Sequence, residues 1–315
     1  MFLTDKYHAL IPFHASGAAG KNARGAGKVL SKPVGPGPGS DRFGAALSAR
    51  LRSLLPLPAS PLAALARLAD LLALTLADAV PALEGEGDAS AVAAHLDAGV
   101  ALLDACNAIT ARLDRLRRRR LLSRFALHLL SSSPQHSSIR RARAALADRD
   151  ERAPASALPP LPPLPFDQPR DSLSASASVL LAVDAVSSLA AASAAAVLCG
   201  VSLQIAFPLI SSDFPWAEAF NAVSTQLASL ATKTSDLDAL DLAVRKLTSV
   251  LDTEGELDAS ALRAATQEVE KRTEELTAPL DRLSDAVNSV FRAALCLRNA
   301  ELRSVTVGSA ENTCK

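Results

Sequence analysis

The sequence predicts an all-α protein, an antiparallel helical bundle with long heptad-patterned helices, and three observations carry that expectation. Of its 315 residues 49% are apolar, mostly Ala, Leu and Val, with a single Trp, Tyr and Met; Ala and Leu are among the strongest helix formers. Leucines and valines recur at steps of three and four over long stretches, and no strand-like alternation appears between turn signals. Proline and serine clusters punctuate the pattern at intervals that suit helix ends.

Residues 1–40 are expected to be a disordered basic tail. Lys6, Lys21, Arg24, Lys28 and Lys32 stand against Asp5, and Pro33-Val34-Gly35-Pro36-Gly37-Pro38-Gly39 cannot propagate a helix. Helical patterning begins at Asp41, a plausible N-cap, and runs through Phe43, Leu47, Leu51, Leu54 and Leu55 to Pro56. The second helix is expected from Ser60 to Val80, with Ser60 as cap and Pro61 in its first turn. After the Gly/Glu turn at 84–88 comes a long helix from Ala89 to about Leu130. Its stripe is Val92, His95, Gly99, Leu102, Cys106, Ile109, Leu113 and Leu116. A shorter Arg-rich helix follows from Ser137 to Glu151.

Residues 152–171 hold seven prolines and read as a stiff polyproline spacer. Its P-x-x-P matches also fit an SH3-type ligand, but such matches are common by chance in any proline-rich spacer. The second half, 172–307, opens with helix-prone Ser172 to Phe207 and restarts at Pro215-Trp216. It continues through Asp236 to Leu251 and closes with a long helix from Asp258, which Pro279 is expected to kink. Leu276, Leu280, Leu283, Val287, Val290, Ala294 and Leu297 form the stripe of that last helix. The halves 41–151 and 172–307 are expected to pack through these stripes, and 308–315 to form a disordered C-terminus.

Charge is balanced, 33 bases against 33 acids, yet it is sorted along the chain. The stretch 101–150 is strongly basic, whereas 171–231 contains Asp171, Asp184, Asp213 and Glu218 and no base. The cluster Arg115, Arg117, Arg118, Arg119 and Arg120 admits three readings, in descending order of weight. These are pairing with the acidic second half, contact with anionic lipid or an acidic protein partner, and contact with nucleic acid. The scarcity of aromatics and the neutral whole chain disfavour nucleic acid.

No catalytic or metal-binding motif is spelled. The five histidines form no H-E-x-x-H and pair with no cysteine at helical spacing, and Gly20-Lys21 and Gly27-Lys28 lack the rest of a phosphate loop. An enzyme would need a site assembled from remote residues such as Asn107, His128 and Trp216, so the expectation is a non-enzyme without cofactors. Cys106, Cys199, Cys296 and Cys314 lie far apart, which reads as reduced intracellular thiols. Together with an N-terminus unlike a secretory signal, this points to the cytoplasm, with membrane association open.

The membrane question rests on one uncharged run, 185–212. Val186, Leu189, Val197, Leu198, Val201, Leu203, Ile205 and Phe207 supply enough length and apolar character for a span. Within 186–210 four serines, Gly200, Gln204 and Pro208 oppose insertion, and a buried bundle helix is the preferred reading over a single-pass anchor at about 186–210.

Several segments resemble the BYPASS-related plant proteins, a family that includes the ROH type linked to the exocyst tethering complex. The clearest is Leu103-Asp104-Ala105-Cys106-Asn107-Ala108-Ile109-Thr110 with the basic stretch that follows it. Arg140-Arg141-Ala142-Arg143-Ala144-Ala145-Leu146, Pro215-Trp216-Ala217, and Pro279-Leu280-Asp281 with Val290-Phe291 are similar to later family blocks, in order, from about Phe43 to Val305. The resemblance implies a plant protein without known enzymatic activity, acting in root and shoot development or in secretion and cell-wall deposition. It also implies protein partners, an exocyst subunit among them, and offers no catalytic residues to carry over. In the segment equivalent to 185–210, relatives look like a bulkier span, where this chain has Ala/Ser runs.

Overall fold

The computed structural model describes residues 38–83, 89–132, 136–147, 161, 173–199, 207–211, 213–233, 235–253 and 258–312, all within one compact unit, 33–315. Among the described residues the secondary structure is all-α. The expected tail lies outside them up to residue 37, as does the proline-rich spacer apart from Leu161, which is half-buried against the core.

Helix α1 (Pro38–Leu54) starts three residues before the expected cap and ends ahead of a turn that contains a cis Leu55–Pro56 bond. Helix α2 (Pro61–Ala79) is capped as its sequence dictates, with the Ser60 hydroxyl accepting from the Ala63 N–H at 3.4 Å and Pro61 in the first turn, where its missing N–H costs nothing. A 3-10 turn (Val80–Leu83) follows it. Helix α3 (Ala89–Ser132) is the long heptad helix, and α4 (His136–Ala147) the Arg-rich one.

Helix α5 (Ala175–Cys199) is described to Cys199, and the chain is no longer helical at Phe207, where helix had been expected. From 207 to 211 it runs as a strap held on α6 (Ala217–Ala231). Asn221 donates to the Ile210 carbonyl and accepts from its N–H, both at 2.9 Å, while Ser224 donates to the Pro208 carbonyl at 2.8 Å. These side chains substitute for the helical backbone bonds that Pro208, lacking an N–H, could not continue.

Helix α7 (Asp236–Asp252) begins with a complete capping box between Ser235 and Asp238. The expected kink at Pro279 is a break: α8 (Ala259–Glu275) and α9 (Thr277–Asn312) are separated at Leu276. Pro279 cannot donate to the carbonyl of Glu275 four residues back, and its ring crowds that carbonyl. Helix α9 continues to Asn312, five residues past the expected end.

The two halves share one core. The most extensive helix pair is α2 with α9, and α2 also packs on α5, α1 and α6, so most of its residues are buried and only a stripe through Arg67, Leu74 and Ala77 is exposed. Helix α3 lies against α9, α5, α4 and α8. Cross-contacts give the directions: His95 meets Glu301 while Arg117 meets Asp281, so α3 and α9 are antiparallel. His95 meets Asp184 while Arg112 meets Leu198, so α3 and α5 run the same way. The expected stripes are the buried faces, including Val92, Leu102, Cys106, Ile109, Leu113 and Leu116 on α3, Leu276 at the α8–α9 junction, and Leu280, Leu283, Val287, Val290, Ala294 and Leu297 on α9. At roughly 1.5–3 kcal/mol per buried leucine or valine, this shared core is what holds the fold.

Candidate functional site

Polar groups inside this core come together at one place. In α3 the inward stripe passes through His95; in α9 the three-and-four register that places Ala294 and Leu297 inward continues to Glu301. Asp184 reaches the same point from α5. His95 is 5% exposed and Glu301 1%, whereas the Asp184 side chain keeps 20%. The imidazole Nδ1 lies 2.7 Å from Asp184 Oδ1 and Nε2 lies 3.3 Å from Glu301 Oε1, so a carboxylate faces each ring nitrogen. Asp184 acts on the ring both through this close Nδ1 contact and through its charge.

Burial pushes the His95 pKa down, but the Asp184 contact and the charges of Asp184 and Glu301 outweigh it, and the net shift is upward. Glu301 is also raised, first by burial and then by Asp184, against the opposing pull of His95 and Arg298. His95 and Glu301 therefore both hold their protons to higher pH than either would alone in water. The cluster joins three helices, and among the described residues no group of side chains is placed to hold a metal ion.

Sequence reasoning placed His95 on the stripe as a half-buried residue and missed its partners. Glu301 carried a readable signal, a charged side chain in core register. Asp184 carried another, the one acid in a long apolar helix.

The arginine cluster on α3 divides by direction. Arg112 donates to the carbonyl of Leu198 at 3.0 Å, satisfying one of the open carbonyls at the C-terminal end of α5. Arg117 pairs with Asp281 at 3.2 Å and Arg119 with Asp241; Arg124 meets Glu274 at 3.7 Å, and Arg143 of α4 meets Asp252 at 2.7 Å. First-half arginines thus pair with second-half acids, and these acids lie between 241 and 281, outside the base-free stretch 171–231. Arg120 occupies the inward register between Leu116 and Ser123, and its Nε and Nη1 are buried, as is the Nε of Arg115. Arg118 points outward.

The residues named for a remote enzyme site do not meet. Asn107 and His128 are both exposed on α3, about 31 Å apart at 1.5 Å per residue. Trp216 is buried between Phe214 and Phe220, with ring centroids at 5.3 and 5.7 Å. The segment weighed as a membrane span is largely core: Val186, Leu189, Val197 and Leu198 are buried, Phe207 is half-buried, and Val201, Leu203 and Ile205 lie outside the described residues. By length and composition alone, two helical stretches could cross a bilayer, Ala91–Ser131 and Ala175–Cys199.

The outward face of α3 is an unbroken three-and-four stripe that changes character midway. Asp97, Val100, Asp104, Asn107, Ala111 and Asp114 are succeeded by Arg118, Leu121, Phe125 and His128, all exposed. Within the block Leu103-Asp104-Ala105-Cys106-Asn107-Ala108-Ile109-Thr110, Ala105, Cys106 and Ile109 face the core while Asp104 and Asn107 face out.

The block that carries the family resemblance is therefore both a packing element and part of a surface. The chain is similar to the protein BPS1, chloroplastic, of Arabidopsis thaliana, with 27% identity over 237 residues. That likeness supports the BYPASS-related family. The match takes in 67% of this chain and 65% of the relative, so the chain spans slightly less than two thirds of the relative's length. No family model matches the chain. No solved structure matches it either. The arrangement itself offers helix-to-helix ion pairs in the interior and a charge-segregated helix face outside.

Proposed function

We propose that this chain is a non-enzymatic plant regulatory adaptor, acting through protein partners in root and shoot development or in secretion and cell-wall deposition. The likeness to BPS1 supports the family part of that reading. The observation that carries the adaptor part is how the ionisable side chains are used. His95, Asp184 and Glu301, and the arginines from Arg112 to Arg143, tie helices to one another, while the long outer face of α3 is left to solvent. A protein that works by contact needs such a rigid helical scaffold with an open face. An exocyst subunit is the partner to test first, and the cytoplasm the compartment. Affinity capture with the full chain from plant tissue is the test. Reproducible recovery of exocyst subunits is the expected result, and recovery of no reproducible partner rejects the adaptor reading.

The competing reading is a single-pass protein anchored at about 186–210 with a cytosolic N-terminal half. The length and apolar character of α5 favour it, and the packing of α5 on α1, α2 and α3 opposes it. Alkaline carbonate extraction separates the two, since a spanning protein stays in the pellet.

A further inference from the structure

Where α4 folds back on α3, the surface carries two bulky apolar side chains set among guanidinium groups. Leu121 is 60% exposed and Phe125 44%, one helical turn apart on the outer stripe. Arg141 of α4 lies over the Phe125 ring, 5.9 Å from its centroid. Arg140 stands beside it, also exposed, and neither Arg140 nor Arg141 takes part in an ion pair among the described residues. From residue 115 to 132 and from 136 to 147 the chain holds no acid at all.

We propose that this α3–α4 ridge docks on an anionic phospholipid surface. Three features favour lipid over an acidic protein. The apolar groups stand out from an exposed helix face and do not line a groove, which suits entry into the boundary between headgroups and acyl chains. The guanidinium groups flank them on stems long enough to stay at phosphate level while Leu121 and Phe125 go deeper. The absence of acids from 115 to 132 and from 136 to 147 gives these stretches of the two helices one sign of charge, the complement of an anionic leaflet. The contact is independent of the adaptor reading, because vesicle binding can fail where partner capture succeeds, and the reverse.

The test is flotation of the full chain with vesicles of phosphatidylcholine alone or mixed with phosphatidylserine, at roughly physiological salt of 0.15 M. The expected result is binding to the mixed vesicles and none to phosphatidylcholine. Arg140→Glu with Arg141→Glu should weaken that binding by roughly 30-fold or more, from about a fivefold contribution of each arginine at a charged surface. Leu121→Ser with Phe125→Ser should weaken it by about tenfold or more through lost apolar burial. Arg245→Glu with Lys246→Glu, exposed on α7, makes the same change of net charge elsewhere and should leave binding intact. All substituted side chains are exposed, and thermal melts of the variants check that the fold survives. No binding to mixed vesicles overturns the proposal, as does equal loss in the α7 control. Capture of the chain by a polyglutamate peptide while vesicles are ignored also overturns it, in favour of an acidic protein.

Discussion

Replacing His95 by Gln removes the one cation from a buried site that two carboxylates share. Glu301 is 1% exposed and cannot be rescued by water, whereas Asp184, at 20%, retains some solvent screening. Breaking a buried ion pair by deleting one partner costs about 3–5 kcal/mol. The partial exposure of Asp184 and the ability of Glu301 to take up a proton argue for the lower end, about 3 kcal/mol. For a domain of this size that is a fall of roughly 6–12 °C in melting temperature. Thermal melts and urea unfolding of wild type and His95→Gln at pH 6 and pH 8 measure it.

The wild type should itself depend on pH in a definite direction. His95 is raised above its ordinary 6.5, so its contribution is fully present below pH 6.5 and is lost as pH climbs through the folded value. Glu301, raised above 4.5, acts the same way from pH 4.5 upward. The protein should therefore be more stable at pH 6 than at pH 8, and His95→Gln should flatten that difference. His95→Leu with Glu301→Leu should recover most of the loss, since well-packed apolar groups commonly replace buried charges without cost. A His95→Gln variant that melts with the wild type, with the same pH profile, would refute the idea that the cluster is an ion-paired clamp.

Two further outcomes follow from local geometry. Burial pushes the Cys106 thiol up to about 12, whereas Cys296 is exposed, so limited alkylation at neutral pH followed by peptide mapping should label Cys296 and spare Cys106 until the protein unfolds. A Cβ at Gly44 would stand 3.0 Å from Pro215 Cγ and 3.6 Å from Trp216 Cδ1, where α1 meets the start of α6. Gly44→Leu should therefore cost about 1–3 kcal/mol by overpacking, read as a lower urea midpoint, even though leucine is the better helix former.

Much of the fold was legible because the chain marks its own helix ends. Ser60 with Pro61, and Pro279, act through the presence or absence of short-range hydrogen bonds that any reader of the sequence can apply. The stripes of α3 and α9 were legible for the same reason, since burial of one face imposes the three-and-four step. What the sequence did not show was which stripe meets which. The convergence of His95, Asp184 and Glu301 depends on α3 and α5 running the same way while α9 runs opposite, a property of the packed assembly. The arginine cluster was partly legible: pairing with distant acids was anticipated from charge sorting, but which arginine turns inward follows from register, and Arg120 sits four residues beyond the last residue named on the α3 stripe. Helix was expected as far as Phe207 because Val, Leu and Ile continue past Cys199, and only the Asn221 and Ser224 side chains reveal that the chain from Phe207 is held as a strap.

The pairing of α2 with α9 has a consequence for how the protein comes into being. Helix α2 buries a broad leucine face, yet the main neighbour of that face begins at Thr277, some two hundred residues later in the chain. On the ribosome α2 therefore emerges long before the surface it needs, and its leucine face must wait, exposed to other chains, until synthesis is almost complete. Such long-range closure slows folding and makes the nascent chain a client for chaperones that shield apolar helices.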